Sequence, residues 1–366
     1  MAKKDQETLV VIPTYNEKDN IKKIIAAVYK YAPRTHILII DDSSPDGTGT
    51  IVRLIKKRQY PRRLFLLSRA KKEGLGKAYI DGFKWALDRR YDYIVSMDAD
   101  FSHHPKYLPA MLDCAREKKA DIVIGSRYIK GGGITGWDWK RQLNSRGANA
   151  AARIALGLKP KDVTAGYKIY NAKFLKSLAL NKLVSSGYAF QVEMLFLAKE
   201  KGAQVYEVPI VFADRRAGTS KIAGELTRSA KIVWRLFLRR RVVGQAMKFM
   251  AIGLLNVLVD WGIYYALTRW INLNAIPSRI VSSSIALTSS YIWNRLWTFR
   301  GSKQAIAQQF IKFVAVNGMG LVWNNLLFAL FINVLGIYDL LALVLTTIIV
   351  FFWNFGLTKI WAFKDR

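Results

Sequence analysis

Tyr93-Ile94-Val95-Ser96-Met97-Asp98-Ala99-Asp100 is a short apolar run that ends in two carboxylates at i and i+2. Its length and its aromatic and β-branched residues read as a buried strand, which leaves Asp98 and Asp100 at the strand's carboxyl end. Runs of the same kind recur on both sides, at residues 8–12, 36–41, 64–67, 121–125 and 204–210. Amphipathic stretches lie between them. Residues 19–31 place Ile21, Ile24, Ile25 and Val28 on one helical face, and 74–87 do the same with Leu75, Ala78 and Phe83. Such alternation predicts an α/β domain with a parallel sheet, whose ligands gather where the strands end.

Two more clusters follow strands. Pro13-Thr14-Tyr15-Asn16-Glu17 stops the first and offers an aromatic ring and a carboxylate to a base or ribose, or forms an ordinary turn. Asp41-Asp42-Ser43-Ser44-Pro45-Asp46-Gly47-Thr48 places carboxylates that accept ribose or base hydrogen bonds, with Asp46 or Thr48 as a helix N-cap the plainer alternative. At Asp98 and Asp100 the chemistry suits a hard divalent cation, which takes oxygen ligands and often uses one or two protein carboxylates while a substrate diphosphate supplies others. Mg²⁺ or Mn²⁺ bridging a nucleotide diphosphate there would stabilise charge on the leaving group.

Composition separates this part of the chain from the rest. With 366 residues, 51% hydrophobic and 13% aromatic, the chain is too apolar for a disordered tail, and its mean hydropathy of +0.08 assigns part of it to lipid. The lone Cys114 excludes an intrachain disulfide and a cysteine zinc cluster, and His36, His103 and His104 leave little for a histidine site. The net charge of +31 divides unevenly: residues 1–244 hold 47 Lys/Arg against 23 Asp/Glu, residues 245–366 hold 10 against 3. Met1 to Glu7 is polar and the following apolar stretch is short, so no secretory signal is expected. Arg228, Lys231, Arg235 and Arg239, with Ile232, Val233, Leu236 and Phe237 between them, read as a basic amphipathic helix. Lying on an anionic membrane it would gain roughly 1 kcal/mol per nearby cation; a solvated helix face is the alternative.

Four apolar segments follow, at residues 249–268, 280–294, 313–338 and 340–358. At roughly 1.5 Å per residue three of them span a hydrocarbon core of about 30 Å, while 280–294 is short, serine-rich and needs Arg279 and Arg295 to snorkel. It is counted because the region repeats itself at an offset of 64 residues: Lys248-Phe249 matches Lys312-Phe313, and Arg295-Leu296-Trp297-Thr298-Phe299-Arg300 matches Lys359-Ile360-Trp361-Ala362-Phe363-Lys364. Lysine and tryptophan stand 49 residues apart in both units. Two parallel helical hairpins, four spans in all, are predicted. Arg239, Arg240, Arg241, Lys248, Arg295, Arg300, Lys303, Lys312, Lys359, Lys364 and Arg366 lie toward one side and only Arg269 and Arg279 toward the other, which predicts a cytoplasmic soluble domain and termini. Asp260 is an intramembrane ionisable group and so a functional suspect. Asn256, Asn317, Asn324, Asn325 and Asn354 are expected to bond between helices.

These motifs resemble those of family 2 glycosyltransferases of GT-A (Rossmann-like) fold, in particular the dolichol-phosphate (polyprenol-phosphate) mannose synthases. The resemblance is carried over residues 8–221 by the three clusters together with Gly125-Ser126-Arg127-Tyr128, Gly187-Tyr188-Ala189-Phe190-Gln191-Val192-Glu193, and Arg215 with Gly218, Ser220 and Lys221. Gly253-Leu254-Leu255-Asn256, Asp260 and Asn294 to Phe299 resemble the GtrA-like membrane family. The implied organisation is a GT-A domain at 1–222, interfacial amphipathic helices at 223–246 and a four-helix transmembrane domain at 247–366.

The resemblance implies that Pro13, Tyr15, Glu17, Ile40 and Asp42 contact the nucleoside, that Asp98, Ala99 and Asp100 hold the diphosphate, with Asp98 and Asp100 on Mg²⁺ or Mn²⁺, and that Arg127, Arg215 and Lys221 bind phosphate. Ser102 stands where the family often has a glutamine metal ligand, and His103 and His104 are expected to cap the helix after Pro105. Arg141 and Ser145, four apart on a helix behind the interfacial aromatics Trp137 and Trp139, are expected to receive the lipid phosphate with Arg127, an ordinary solvated cation being the alternative for Arg141. Glu193 is the candidate base or a helix-surface carboxylate. Gln142-Leu143-Asn144-Ser145-Arg146-Gly147 lacks the spacing and tryptophan of a Gln-x-x-Arg-Trp motif, which favours one sugar per lipid phosphate.

The implied reaction is inverting transfer of mannose from GDP-mannose to dolichyl (polyprenyl) phosphate, giving dolichyl β-D-mannosyl phosphate and GDP, at a cell membrane or endomembrane. The alternatives are UDP-glucose as donor and a lipid-linked sugar flippase. Nucleic acid is not an expected partner, because the cations gather at membrane-facing and phosphate-binding stretches.

Overall fold

The computed structural model describes residues 8–183, 187, 189–214, 225–302 and 304–363. It forms two compact units that divide between Phe237 and Leu238.

In the first unit the described strands and helices run in the order β1 (Thr8–Thr14), α1 (Lys18–Tyr31), β2 (His36–Asp41), α2 (Thr48–Arg58), β3 (Leu64–Ser68), α3 (Leu75–Asp88), β4 (Tyr93–Ser96), α4 (Leu108–Glu117), β5 (Ile122–Ser126), β6 (Gly133–Thr135), α5 (Trp139–Leu156), β7 (Lys168–Asn171), α6 (Ala172–Ser177), α7 (Ala189–Glu200), β8 (Val205–Pro209), β9 (Val211–Ala213) and α8 (Glu225–Leu238). Seven strands form one sheet in the order β3-β2-β1-β4-β7-β5-β8, and β6 and β9 pair separately. The six strands predicted from sequence are all in the large sheet and, where paired with one another, run parallel.

The parallel expectation fails at β7, which is antiparallel to both β4 and β5. Its sequence, Lys168-Ile169-Tyr170-Asn171, is unreadable as a core strand because Lys168 interrupts the apolar run. That lysine is nevertheless fully buried.

Helices cover both faces of the sheet, so its central strands are apolar without alternation. On one face Leu9, Val11, Leu38, Ile40 and Ile94 pack against Tyr79, Phe83 and Phe190. On the other Val10, Ile12, Ile37, Ile39 and Val95 pack against Ile21, Ile24, Val28, Val52 and Met111. α8 joins the first cluster by burying Leu236 and laying Ile232, Val233 and Phe237 against it. Its apolar side thus closes the soluble core, leaving Trp234, Lys231 and Arg235 exposed. The division between units therefore falls inside the segment expected to be interfacial.

The described part of the second unit contains α9 (Arg241–Arg269), α10 (Ala275–Trp293), α11 (Ile306–Ala329) and α12 (Asp339–Leu357). π-Helical turns extend α10 through Asn294–Thr298 and α12 through Thr358–Ala362. Both pairs of bounds differ by 64, so the sequence repeat is a structural one to the residue. Lys248 Nζ lies 5.3 Å from the Trp297 ring and Lys312 Nζ 5.9 Å from that of Trp361, while the equivalent Phe299 and Phe363 stack at 4.8 Å.

Three of the described helices are long and apolar enough to cross a membrane, at Arg241–Arg269, Ile306–Val334 and Asp339–Ala362. α10 falls short because its serines lower the hydropathy. Among the described residues Asn317 and Asn325 make no bond between helices: each donates to the carbonyl four residues back, Phe313 at 2.8 Å and Leu321 at 3.0 Å. That satisfies the amide inside its own helix. Asn354 instead fills the space beside Gly320, where any Cβ would collide with its amide.

Candidate active site

The order of strands reverses at β1, with β2 on one side and β4 on the other, so the crevice beyond their carboxyl ends is the natural ligand site. Asn16 adopts φ +62°, which asparagine tolerates, and turns the chain between β1 and α1. Three main-chain N–H groups then tie this turn to the loop after β2: Asn16 donates to Ser44 Oγ at 3.1 Å, Glu17 to Thr48 Oγ1 at 3.0 Å and Lys18 to Asp46 Oδ2 at 2.9 Å. Asp46 also accepts from the Thr48 N–H at 2.9 Å, but the N-cap of α2 is Gly47, so neither Asp46 nor Thr48 is the cap. Desolvation pushes the Asp46 carboxyl up, but the hydrogen bonds from Thr48 and Lys18 win and hold it below the ordinary value.

Asp41 is structural, accepting from Thr14 Oγ1 at 3.0 Å and Ser44 Oγ at 2.6 Å. Asp42 is held by Arg69 at 3.0 Å, and Arg69 also meets Glu73 at 3.2 Å and Asp81 at 3.3 Å. Burial raises the Asp42 carboxyl above its ordinary value against the pull of Arg69. Tyr15 is partly exposed with Lys72 Nζ 3.8 Å above its ring. Pro13 lies beside Ile40 in the β1–β2 ladder. The Ile40 side chain is sealed in the core, so only its main chain is available to a nucleoside.

On the other wall, Asp98 Oδ1 accepts from Tyr79 OH at 3.0 Å. Burial, reinforced by Asp98, pushes the Tyr79 phenol far up and keeps it a donor. His103 does not cap the helix: it is buried against Tyr167, and its Nδ1 accepts the Asp98 N–H at 3.2 Å. His104 does cap, accepting the Lys106 N–H at 3.1 Å. Gly166 passes so close that a Cβ would lie 2.9 Å from His103 Cε1, so a side chain there would displace the His103 ring that accepts the Asp98 N–H. Asp100 is buried, as is Ala99, and Asp100 Oδ1 accepts the Ser102 N–H at 3.0 Å.

The cations are anchored, not free. Arg127 donates through Nε and Nη2 to the two oxygens of Asp162 at 2.7 and 2.8 Å and through Nη2 to Thr164 Oγ1 at 2.8 Å, which fixes the guanidinium plane. Desolvation raises the Asp162 carboxyl, but hydrogen bonds and charge from Arg127 outweigh it and hold it low. Arg141 is no solvated cation: it reaches Asp214 at 3.0 Å and lies 4.2 Å over Trp137, whose Nε1 donates to Asp214 at 3.2 Å. Ser145 Oγ and Tyr128 OH are 2.8 Å apart, while Trp139 and Leu143 are exposed on the same helix. Glu193 is buried on α7 and not a surface carboxylate. Arg215 and Lys221 lie outside the described residues.

Tyr79, Arg69, Asp162, Thr164 and Asp214 were missed by sequence reasoning. They stand far along the chain from their partners, and only the Gly- and Thr-containing run before β7 marks the Asp162 loop as more than a connection.

Residues 9–179 match the glycosyl transferase family 2 pattern, and residues 248–363 match the GtrA/DPMS transmembrane domain. The chain is 44% identical over 225 residues to polyprenol monophosphomannose synthase of Mycolicibacterium smegmatis, covering 62% of this chain and 84% of that protein. The chain belongs to glycosyl transferase family 2. It is likewise 41% identical over 224 residues to undecaprenyl-phosphate mannosyltransferase of Micrococcus luteus, covering 61% of this chain and 90% of that protein. Among solved structures, glucosyl-3-phosphoglycerate synthase of Mycobacterium tuberculosis with uridine diphosphate aligns at TM-score 0.47 and 18% identity, covering 64% of this chain and 80% of that one. By its family and its membrane-domain match, the protein is a membrane glycosyltransferase, with a GT-A domain followed by apolar helices.

A divalent cation fits this glycosyltransferase's donor set. Asp98 and Asp100 supply hard oxygens, and Ser102 Oγ, at the next alternate position, is buried with no hydrogen-bond partner. Among the described residues no three His, Cys, Asp or Glu side chains converge on one point, so a bound cation would need oxygens from the substrate diphosphate.

Lys168 braces the same region from behind, donating to Ala165 O and Gln191 Oε1 at 2.7 Å each. Burial pushes its ammonium down to about 7, with Asp162 opposing, against 10.5 in the unfolded chain. Unfolding therefore takes up a proton between those values, and raising the pH through that window stabilises the fold. Thermal unfolding in detergent is expected to show wild-type stability rising from about pH 7 to about pH 9 by more than that of Lys168→Met. Parallel pH profiles would refute the buried ammonium's role.

Proposed function

We propose that this enzyme transfers mannose, with inversion, from GDP-mannose to the phosphate of dolichyl or another polyprenyl phosphate, giving a β-mannosyl phosphodiester lipid and GDP. The observation that carries this reading is the 44% identity to polyprenol monophosphomannose synthase across 84% of that protein. The site's chemistry supports it. Tyr15, Glu17 and Asp42, with Pro13 and the main chain at Ile40, are assigned to the nucleoside; Asp98 and Asp100 are assigned to Mg²⁺ or Mn²⁺ beside the diphosphate. When bound, that ion supplies charge compensation to the departing GDP.

An acceptor phosphate oxygen attacks the anomeric carbon as the bond from that carbon to the GDP oxygen breaks on the opposite face. A phosphate monoester, with a second pKa of about 6, is already anionic near neutral pH. It needs orientation and partial neutralisation more than a general base. Arg127, set in plane by Asp162, and Arg141, set by Asp214, are oriented cations of this kind. Ser145 is assigned with them, and Arg215 and Lys221 complete the proposed phosphate set.

Catalytic residues at 1–222, an interfacial segment at 223–246 and four spans as two parallel hairpins at 247–366 make up the proposed topology. The cation distribution supports assigning the end of the bundle that carries Lys248, Lys312, Trp297 and Trp361, and the catalytic domain with it, to the cytoplasmic side.

The test is sugar transfer by purified full-length protein, offered GDP-mannose or UDP-glucose with polyprenyl phosphate, with Mg²⁺, Mn²⁺ or a chelator. A mannolipid formed only with metal is expected. A glucolipid instead would replace the donor, and no transfer despite nucleotide binding would overturn the reading in favour of transport.

A further inference from the structure

The membrane unit holds an ion pair that its own repeat shows to be dispensable for the fold. Asp260 on α9 and Arg279 on α10 correspond, at the offset of 64, to Asn324 and Leu343, yet the second hairpin forms the same two helices without either charge. Charges within an apolar segment are costly in lipid and persist where they have work to do. Arg279 Nη1 lies 2.5 Å from Asp260 Oδ2, and Ser282 Oγ donates to Asp260 Oδ1 at 2.7 Å. The carboxylate is sheltered at 16% exposure while the Arg279 side chain is open at 59%.

Arg279 lines a cavity of about 670 Å³ together with Trp261, Tyr264, Tyr265, Ile276 and Ile280. Most of these side chains are exposed, so the cavity opens to the outside of the bundle, where lipid would be. The positions equivalent to Trp261, Tyr264 and Tyr265 in the second repeat are Asn325, Phe328 and Ala329, so the rings of Trp261 and Tyr265 belong to the first repeat alone. Asp260 stands 12 residues along α9 from Lys248, or about 18 Å at 1.5 Å per residue, well away from the lysine–tryptophan end of the bundle.

We propose that this cavity binds the headgroup of a lipid-borne glycosyl phosphodiester, the product class of the reaction proposed above, on whose reading this inference rests. A guanidinium receives a phosphate oxygen pair, and because Asp260 offsets much of its charge it matches a singly charged diester better than a doubly charged monoester. Aromatic faces pack on the apolar side of a sugar ring, the Asp260 carboxylate accepts sugar hydroxyls, and the open side admits the lipid chain.

The test is native mass spectrometry of the full-length protein in detergent with synthetic farnesyl mannosyl phosphate, and separately with farnesyl phosphate and phosphatidylglycerol. The variant Asp260→Asn/Arg279→Leu installs what the second repeat already carries and so preserves the helices. It is expected to take up one farnesyl mannosyl phosphate fewer than wild type, while its glycosyl transfer rate stays within about twofold. Trp261→Ala, which leaves the ion pair intact, is expected to weaken the same adduct at least about tenfold. Equal uptake by wild type and both variants would overturn the site, as would phosphatidylglycerol binding there as well as the glycosyl phosphodiester. Loss of the adduct in the variants of a protein that transfers no mannose would sink the reaction while leaving the cavity's ligand class standing.

Discussion

Asp100→Ala is expected to lower glycosyl transfer by about three orders of magnitude, or ~4 kcal/mol of transition-state stabilisation, while the protein stays folded and membrane-bound. The asymmetry follows from the residue's surroundings. It accepts the Ser102 N–H at 3.0 Å, and loss of a neutral-donor bond of this kind costs roughly 1 kcal/mol, far less than the expected loss of transition-state stabilisation. Asp98, by contrast, is clamped by Tyr79 and the His103 loop, so the neighbouring carboxylate remains in place when Asp100 is removed. Initial rates beside thermal unfolding curves separate the two effects. A variant that turns over at the wild-type rate would remove Asp100 from the site.

The largest effect on stability is expected at Asp162. Its side chain is fully buried and Arg127 is nearly so, and removing one partner of such a pair leaves an uncompensated charge inside the protein. Asp162→Ala is expected to cost about 3–5 kcal/mol. It also frees the guanidinium plane that Asp162 and Thr164 fix, so the surviving folded protein should transfer sugar slowly. The double variant Asp162→Leu/Arg127→Met distinguishes the two roles: replacing both charges by apolar groups should restore much of the stability but none of the activity. Because the Asp162 carboxyl is held below its unfolded value of 3.8, the pair's contribution is complete above that pH and is lost as pH falls through the folded value. Chemical denaturation of the single and double variants at neutral pH measures this directly. Equal loss in both would mean that packing, and not the buried charge, sets the cost.

The sheet was legible wherever burial on both faces made a strand continuously apolar, as at Val10, Ile39 and Val95. It was illegible at β7, where Lys168 is buried but satisfied by Ala165 and Gln191, contacts no local pattern announces. The membrane repeat was readable almost to the residue, because an offset of 64 preserves both helix bounds and the lysine–tryptophan pairing across 49 residues.

The carboxylates at Asp98 and Asp100 were readable from their place after a strand. Their environment was not. Arg127 and Arg141 read as phosphate-binding cations with no partner in view, yet Asp162 and Asp214, separated from them by 35 and 73 residues, convert each into a fixed, partly neutralised donor. The asparagines read as interhelical bridges, but Asn317 and Asn325 turn back on their own helices, an option that sequence position alone does not distinguish. The capping expectation held for His104 and failed for His103, because burial against Tyr167 outweighs the local turn.

The most direct measurement of the whole account is the structure of the lipid product made from GDP-mannose and polyprenyl phosphate, determined by phosphorus and proton NMR. A mannose joined through its anomeric carbon to the lipid phosphate, in β configuration, is the predicted result. An α-linked sugar would contradict the single inverting displacement, and free mannose or a sugar on a lipid hydroxyl would contradict the phosphate acceptor.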